Sequence, residues 1–368
     1  MRLALKPGLL PVWRDNDTLQ IGIDPRRAVA ITGIAGAAAL IGLLDGSRDR
    51  QAVISAARAH GIAAETADRL ISLLAAGGVL DDFPAGTLRT LPDALRTRLA
   101  PELATTSLAH GDGDGGARAL ARRSATYVRV YGAGKVGACI ATLLAAAGIG
   151  HVACRDTGTA FAADLAPAGL CAADIGEPRS AGAARAVGRS APETRTDDDT
   201  RRPDLAVLAG SHGPELAAGL LADDVPHLTA AAGEAIGIVG PLVIPGRSAC
   251  LRCLDMARAE RDPAWPMVLA QLIGRQLSTP ACDCVLATSV AAQASAQVLT
   301  FVDRGGRADA VTNGTLELVL PDWQWRRRTW APQPGCGCGG ARARAGHRGR
   351  AAAAAGSGQR HMDGEPGE

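Results

Sequence analysis

Aromatic residues are scarce in this 368-residue chain, with five Trp, three Phe and two Tyr making up 3% of it. Cores without rings must be filled by Ala, Leu, Val and Ile, and a hydrophobic content of 47% supplies them. Lysine is scarcer still. Lys6 and Lys135 are the only two among 39 basic residues, and the Arg bias, with abundant Ala and Gly, reflects GC-rich coding rather than a binding surface. A charge excess is also lacking: a formal +2 gives no electrostatic case for nucleic acid, which needs a concentrated basic face. No secretory signal is visible, because "MRLALKPGLLPVWRDND" meets Pro7 and then charges before an apolar run develops. The longest apolar stretch, "AVAITGIAGAAALIGLL" at 28–44, falls short of the roughly 20 residues of a spanning helix. Gly33, Gly36 and Gly42 interrupt it, so it reads as a strand followed by a buried helix, with no membrane partner. A disulfide framework fits less well. Nine cysteines, an odd number partly in close pairs, suit a reducing cytoplasm and metal.

Composition divides what is present into four regions. Residues 8–100 are expected to form a small winged-helix-like α+β domain. "LLPVWR", "TLQIGID" and "AVAIT" read as short strands separated by turns at Asn16-Asp17 and Asp24-Pro25. Two helices follow, one capped by Ser47 and stopped by Gly61, the next setting Leu70, Leu73 and Leu74 on one face before Gly77-Gly78. The stretch 103–124, rich in Gly, Asp and Ser, is expected to be a flexible linker. Residues 125–340 alternate strand-like and helix-like segments, the pattern of an α/β domain with a largely parallel, Rossmann-like sheet. Within it, 188–204 reads as a polar surface loop. The low-complexity end, 341–368, is expected to be disordered.

Chemistry enters with "YVRVYGAGKVG". Gly132, Gly134 and Gly137 follow a strand and open a helix, where they permit a tight turn, close phosphate approach and close helix packing. Asp156 ends the next strand, at the spacing of an acid that holds a ribose hydroxyl. Lys135 lies inside the loop, either as a phosphate contact or exposed at the turn. The fingerprint leaves NAD and ATP both open. The second signal is "CLRC" (Cys250, Cys253) with "CGC" (Cys336, Cys338): two short clusters that make a closed, structural four-thiolate zinc site when a fold joins them. Cys282 and Cys284 form a third pair, read as ordinary packing because no His stands beside them to activate a thiol. Cys139, Cys154 and Cys171 sit in apolar runs and read as core. The stretch "DWQWRRRTW" (322–330) reads as an edge strand with a solvated arginine face rather than a nucleic-acid platform.

Glycine loop, acid, CxxC and CxC in this order resemble the ThiF-type and ubiquitin-activating adenylyltransferase superfamily, and "PLVIPGRSACLRCLD" is similar to its approach to the zinc pair. The N-terminal "LLDGSRDRQAVISAARAHG" and "LISLLAAGGVLDD" resemble a PqqD-type peptide-recognition domain of azole and azoline peptide biosynthesis. The first resemblance implies ATP and magnesium at an adenylation site, but this chain departs from that pattern. Asp156 matches the ribose acid, whereas Gly158 stands for a second acid and "DLAP" (Asp164 to Pro167) for Asn-Leu-x-Arg. Arg179 stands for a lysine and would be the catalytic cation, and the magnesium-binding Asp falls at about Ser211, beside His212. Serine is a poor magnesium ligand, so magnesium is expected to be poorly held even if ATP binds. The expectation is therefore a degenerate adenylation site on a protein that binds a peptide or small protein and presents it to a partner such as a YcaO-type enzyme. The alternative is an active adenylyltransferase for the C-terminal carboxylate of a peptide or ubiquitin-like protein, with Asp164 or Asp174 recruiting magnesium. A nicotinamide-dependent reductase would fit the glycines but not the cysteines. The superfamily also implies a homodimer.

Overall fold

A computed structural model of the chain describes residues 2–33, 36–82, 91–272 and 281–340. The tail expected to be disordered, 341–368, lies outside them. The chain divides into two units, Met1–Arg122 and Arg123–Glu368.

The first unit runs β1 (Leu3–Leu5), β2 (Pro11–Trp13), β3 (Thr18–Ile21), β4 (Val29–Thr32), α1 (Ala37–Gly42), α2 (Arg50–Arg58), α3 (Ala64–Ala76), β5 (Leu80–Asp82), α4 (Asp93–His110) and α5 (Ala117–Ala125). Strands β2, β3 and β4 form an antiparallel sheet in that order, and β1 pairs with β5. Leu19 and Ile21 from β3 meet Leu40, Val53, Leu70 and Leu74 from the helices in one apolar core. Two local expectations need correction. Asp49, not Ser47, caps α2, accepting from the Ala52 N–H at 2.8 Å. Ser47 comes too early and is tied by its N–H and hydroxyl to Asp45. Leu73 is exposed, because the buried face of α3 is Ala67, Leu70, Ile71 and Leu74, the i, i+3, i+4, i+7 set.

The expected linker, 103–124, is mostly helix. It is taken up by the end of α4 and by α5, leaving a short glycine-rich turn whose Gly111, Gly113 and Gly116 have positive φ. Helix α4 sets Leu95, Leu99 and Leu103 against Ala117 and Leu120 of α5, and a buried polar cluster holds it as well. The Lys6 ammonium donates to the Ser107 carbonyl at 2.8 Å and to its hydroxyl at 2.6 Å, and pairs with Asp81 at 2.9 Å. The Ser107 hydroxyl in turn donates to Asp81. Lys6, Asp81 and Ser107 are all buried.

The second unit opens with β6 (Tyr127–Tyr131), α6 (Lys135–Ala146) and β7 (His151–Arg155), then two single-turn 3₁₀ segments, Ala162–Asp164 and Ala172–Asp174. It continues with α7 (Arg179–Ser190), β8 (Leu205–Ala209), α8 (Pro214–Ala222), β9 (His227–Gly233) and β10 (Ile236–Val243). Helices α9 (Leu251–Ala259), α10 (Trp265–Leu272) and α11 (Cys284–Asp303) precede β11 (Gly314–Val319) and β12 (Gln324–Thr329). The result is mixed α/β and Rossmann-like, with a seven-stranded sheet in the order β12-β11-β10-β9-β8-β6-β7. The four strands β7, β6, β8 and β9 are parallel, and β10, β11 and β12 extend the sheet antiparallel. Val128 and Val130 face a core closed by Ile140 and Leu144 of α6 and by Leu286 and Val290 of α11. Helix α11 is the one described helix long and apolar enough to cross a membrane, and half of that stretch is buried in this core. Edge strand β12 shows its arginines to solvent, with Arg326 paired to Asp322 and Arg328 to Glu317.

Replacing Lys6 with Met should leave a buried Asp81 carboxylate without its cation and cost about 3–5 kcal/mol of unfolding free energy in urea titrations. A Lys6→Met, Asp81→Leu pair should recover most of the loss. A single variant as stable as the parent would show that the cluster does not hold α4.

Candidate functional site

The parallel strands reverse their order at β6. From β6 the chain passes through α6 to β7 on one side, then returns through α7 to β8 on the other. Ligands of such sheets bind at the carboxyl ends of the strands where this reversal opens a crevice. Here the crevice is lined by Gly132–Lys135 after β6, Asp156 after β7 and Gly210–His212 after β8. Gly132 has φ +87, and a Cβ on it would lie 2.2 Å from the Ala209 carbonyl oxygen. One on Gly137 would lie 1.9 Å from the Gly132 carbonyl oxygen. Both glycines are thus required by backbone packing alone. Gly134 differs: its open side faces a side chain, with Asp164 Oδ1 at 3.3 Å from where a Cβ would be.

The polar groups around the loop are tied to one another. Asp156 accepts from the Ala133 N–H and from the Gly158 N–H, each at 2.7 Å. Arg179, the first residue of α7, donates to Asp164 from Nε at 2.8 Å and from Nη2 at 3.2 Å. Its Nη1 lies 2.8 Å from where a Gly158 side chain would begin, so Gly158 leaves room for the guanidinium. The half-buried Lys135 turns from the loop and donates to the Cys282 carbonyl at 3.2 Å. His212 Nε2 reaches the carbonyls of Tyr131 at 3.1 Å and Ala209 at 3.2 Å, closing the gap between the β6 and β8 ends. Ser211 is exposed. The structure therefore gathers Gly132, Gly134, Lys135, Gly137, Asp156 and Arg179 around one crevice.

Asp174 is not part of it. Its carboxylate is buried, accepts from the Cys171 N–H at 2.8 Å and pairs with Arg185. Burial opposes its ionisation, yet the Cys171 N–H and Arg185 hold its carboxyl below the usual range. Magnesium cannot recruit it without breaking that pair.

The four cysteines meet where α9 and the segment after β12 come together. Cys250 caps α9, Cys253 lies in its first turn, and Cys336 and Cys338 flank Gly337, whose φ of +77 bends the chain back. Sγ atoms lie 3.8 Å apart for Cys250–Cys253, 3.4 Å for Cys250–Cys336 and 3.6 Å for Cys253–Cys338. All four lie within 4.8 Å of one another, and they can hold one metal ion. Burial pushes the Cys250 thiol well up and Cys336 to about 11. Desolvation acts on Cys338 too, but the Gly340 N–H and the neighbouring thiols bring it down. Uncompensated, the pocket resists becoming a thiolate cluster; a cation reverses that balance. Trp330 seals the pocket, with its indole N–H on the Thr315 hydroxyl at 3.0 Å and the Arg258 guanidinium 5.4 Å from its ring.

The remaining cysteines divide differently from expectation. Cys139 is buried and its thiol pushed up to about 11, but Cys171 is exposed, since its 3₁₀ turn buries Asp174 instead. Burial also raises the half-buried Cys282 thiol, despite Lys135 nearby. Sequence reading missed two features. One is the bridging role of His212, which no local pattern announces. The other is the loop before β8, which is no plain surface loop. Asp198 pairs with the buried Arg129 of β6 at 3.0 Å, while Tyr127 stacks on His151 at 3.9 Å beneath the same segment.

Residues 113–205, from the turn before α5 through the glycine loop to the start of β8, match the ThiF family. No curated protein matches the chain in sequence. Among solved structures, E. coli MccB superposes with a TM-score of 0.66 at 14% identity over 100% of both chains. The microcin C7 biosynthetic enzyme MccB in complex with N-formylated MccA gives 0.67 at 15%, covering 92% of this chain and 100% of that one. PaaA gives 0.66 at 15%, over 87% and 98%. At these identities the likeness is one of fold, and it extends well beyond the residues that match the ThiF family.

Cobalt(II) added to metal-free protein should bind at one equivalent per chain and give thiolate-to-metal charge-transfer bands. Cys253→Ser should lose most of that absorbance and lower the melting temperature. Full bands in the variant would show that the metal is not held by these sulfurs.

Proposed function

We propose that this protein uses the ThiF fold to bind a peptide or small protein and present it to a separate modifying enzyme, with little adenylation chemistry of its own. The observation that carries the reading is the state of the crevice. The chain's own N–H groups, carbonyls and ion pair already engage Asp156, Lys135, Arg179 and His212. Adenylation needs cations on a departing pyrophosphate and a carboxylate-held magnesium. Ser211 offers no carboxylate, and among the described residues the cysteine quartet is the one gathering of metal-ligating side chains. A magnesium triphosphate does not fit these donors as they stand.

The peptide half of the proposal draws on the fold neighbours. MccB is known in complex with ATP and with N-formylated MccA, a peptide. In the first unit, among the described residues, the outer strands β2 and β4 each pair on one side only, which is what an added strand requires. Val12 and Trp13 of β2 are exposed beside that free edge. The PqqD-type resemblance of this unit points the same way. A YcaO-type enzyme is the proposed partner, a homodimer the proposed assembly and the cytoplasm the proposed location. We assign zinc to the cysteine quartet. Four sulfurs about 2.3 Å from one tetrahedral ion stand about 3.8 Å apart, close to the spacing seen. With four protein ligands the ion has no open position, and its role is to staple the segment after β12 to α9.

A second reading, an active adenylyltransferase, is favoured by one feature: Arg179 keeps a cation beside Asp156 and the loop. Pyrophosphate exchange separates the two. Zinc-loaded protein with ATP, magnesium and candidate leader peptides should show exchange no faster than protein-free controls, while binding a cognate peptide in calorimetry. Peptide-dependent exchange that Arg179→Ala abolishes would establish the second reading instead.

A further inference from the structure

The glycine loop holds a feature that the absence of catalytic groups does not explain. Asp164 lies on the open side of Gly134, the face a glycine leaves free for a phosphate to approach the backbone. A carboxylate therefore occupies the neighbourhood where an anionic ligand would settle. It is held there on three sides. Oδ2 accepts from the Phe161 N–H at 2.9 Å and from Arg179 Nε at 2.8 Å, and Oδ1 accepts from Arg179 Nη2 at 3.2 Å. Both side chains of the pair are largely buried, with 13% and 19% of their surfaces exposed. Phe161 lies against the far side of the guanidinium, its ring centroid 5.7 Å away. The same guanidinium fills the space beside Gly158, next to Asp156.

We propose that Asp164 is an internal stand-in for phosphate: it neutralises Arg179 and sets a negative charge at the glycine cradle, making the crevice selective against triphosphate ligands. The proposal rests on the reading that this fold binds and presents rather than adenylates, and it names the residue that enforces the restriction. The physical logic is discrimination by like charge. An incoming phosphate meets a fixed carboxylate and finds the nearest cation already paired. A ligand without phosphate, such as adenosine, meets neither obstacle. Asp156 remains beside the loop to receive a ribose hydroxyl once its N–H partners are shared.

Calorimetry of zinc-loaded, full-length protein with ATP and with adenosine, each with and without magnesium, tests this directly. Asp164→Asn removes the charge and should tighten ATP binding about tenfold or more, a factor that corresponds to about 1.4 kcal/mol. Adenosine affinity should change less than about twofold. Adding Arg179→Ala to Asp164→Asn should remove the part of the gain that the freed guanidinium supplies, leaving the part due to relieved like-charge repulsion. Asp164 also holds the Phe161 N–H, so Asp164→Ser, which keeps a side-chain acceptor at that turn, guards against a loosened fold and should give the same gain. ATP affinity unchanged by both single substitutions, no measurable ATP binding in any variant, or an equal gain for adenosine would each overturn the proposal. Pyrophosphate exchange by the unaltered protein would instead overturn the binding-and-presenting reading, so the two failures are distinguishable.

Discussion

The close approach of α6 to the ends of β6 and β8 is the constraint on which the second unit rests. Gly137 packs on the Gly132 carbonyl, and Gly132 packs on the Ala209 carbonyl, with no room for a side chain at either contact. Helix, turn and neighbouring strand are drawn together there at backbone distance. This brings Asp156 under the loop, sets Asp164 beside Gly134 and lets His212 reach across to Tyr131. It also changes what the glycines signify. Two of the three are demanded by packing, so their presence is compatible with a nucleotide but does not require one. Gly134, the glycine with space beside it, carries the information about ligands, and a carboxylate faces it.

A second constraint acts at the cysteine cluster. Strand β12 is an exposed edge, and among the described residues beyond it the one regular element is the short 3₁₀ turn Pro334–Cys336. Cys336 and Cys338 return that segment to α9, over a small apolar pocket closed by Trp330 and Leu254. The apolar contacts there are few, so a metal with four thiolates would supply much of what a larger core supplies elsewhere. Cation–π contacts from Arg258 and Arg328 complete the cover on Trp330.

What could be read in the sequence was whatever depends on short-range pattern. The glycine loop after a strand, the α/β alternation and the pairing of CxxC with CxC all follow from spacing and residue type, and the structure contains the loop, the sheet and the sulfur cluster. Features fixed by long-range polar contacts were not legible. The stretch 103–124 looked like a linker, but Lys6 and Asp81, distant in sequence, hold the end of α4 through Ser107, and Leu103 packs with Ala117 and Leu120 of α5. Asp198 looked solvated because its partner Arg129 lies on the distant strand β6. Asp174 looked available to a metal, yet its own turn and Arg185 bury it. The cap at Asp49 was missed for a local reason: two candidate residues stood two positions apart, and only the backbone geometry chooses between them.

The separation of the cysteine pairs along the chain has a consequence for biosynthesis. Cys336 follows Cys250 by 86 residues, so at about 5–20 residues per second of translation the first pair waits several seconds for its partners. During that interval Cys250 and Cys253 are two thiols on a nascent polypeptide without Cys336 and Cys338 beside them, open to oxidation or to a transient ion. The growing chain must keep them reduced until the last knuckle leaves the ribosome, which ties correct maturation of this end to the redox state at the moment of synthesis.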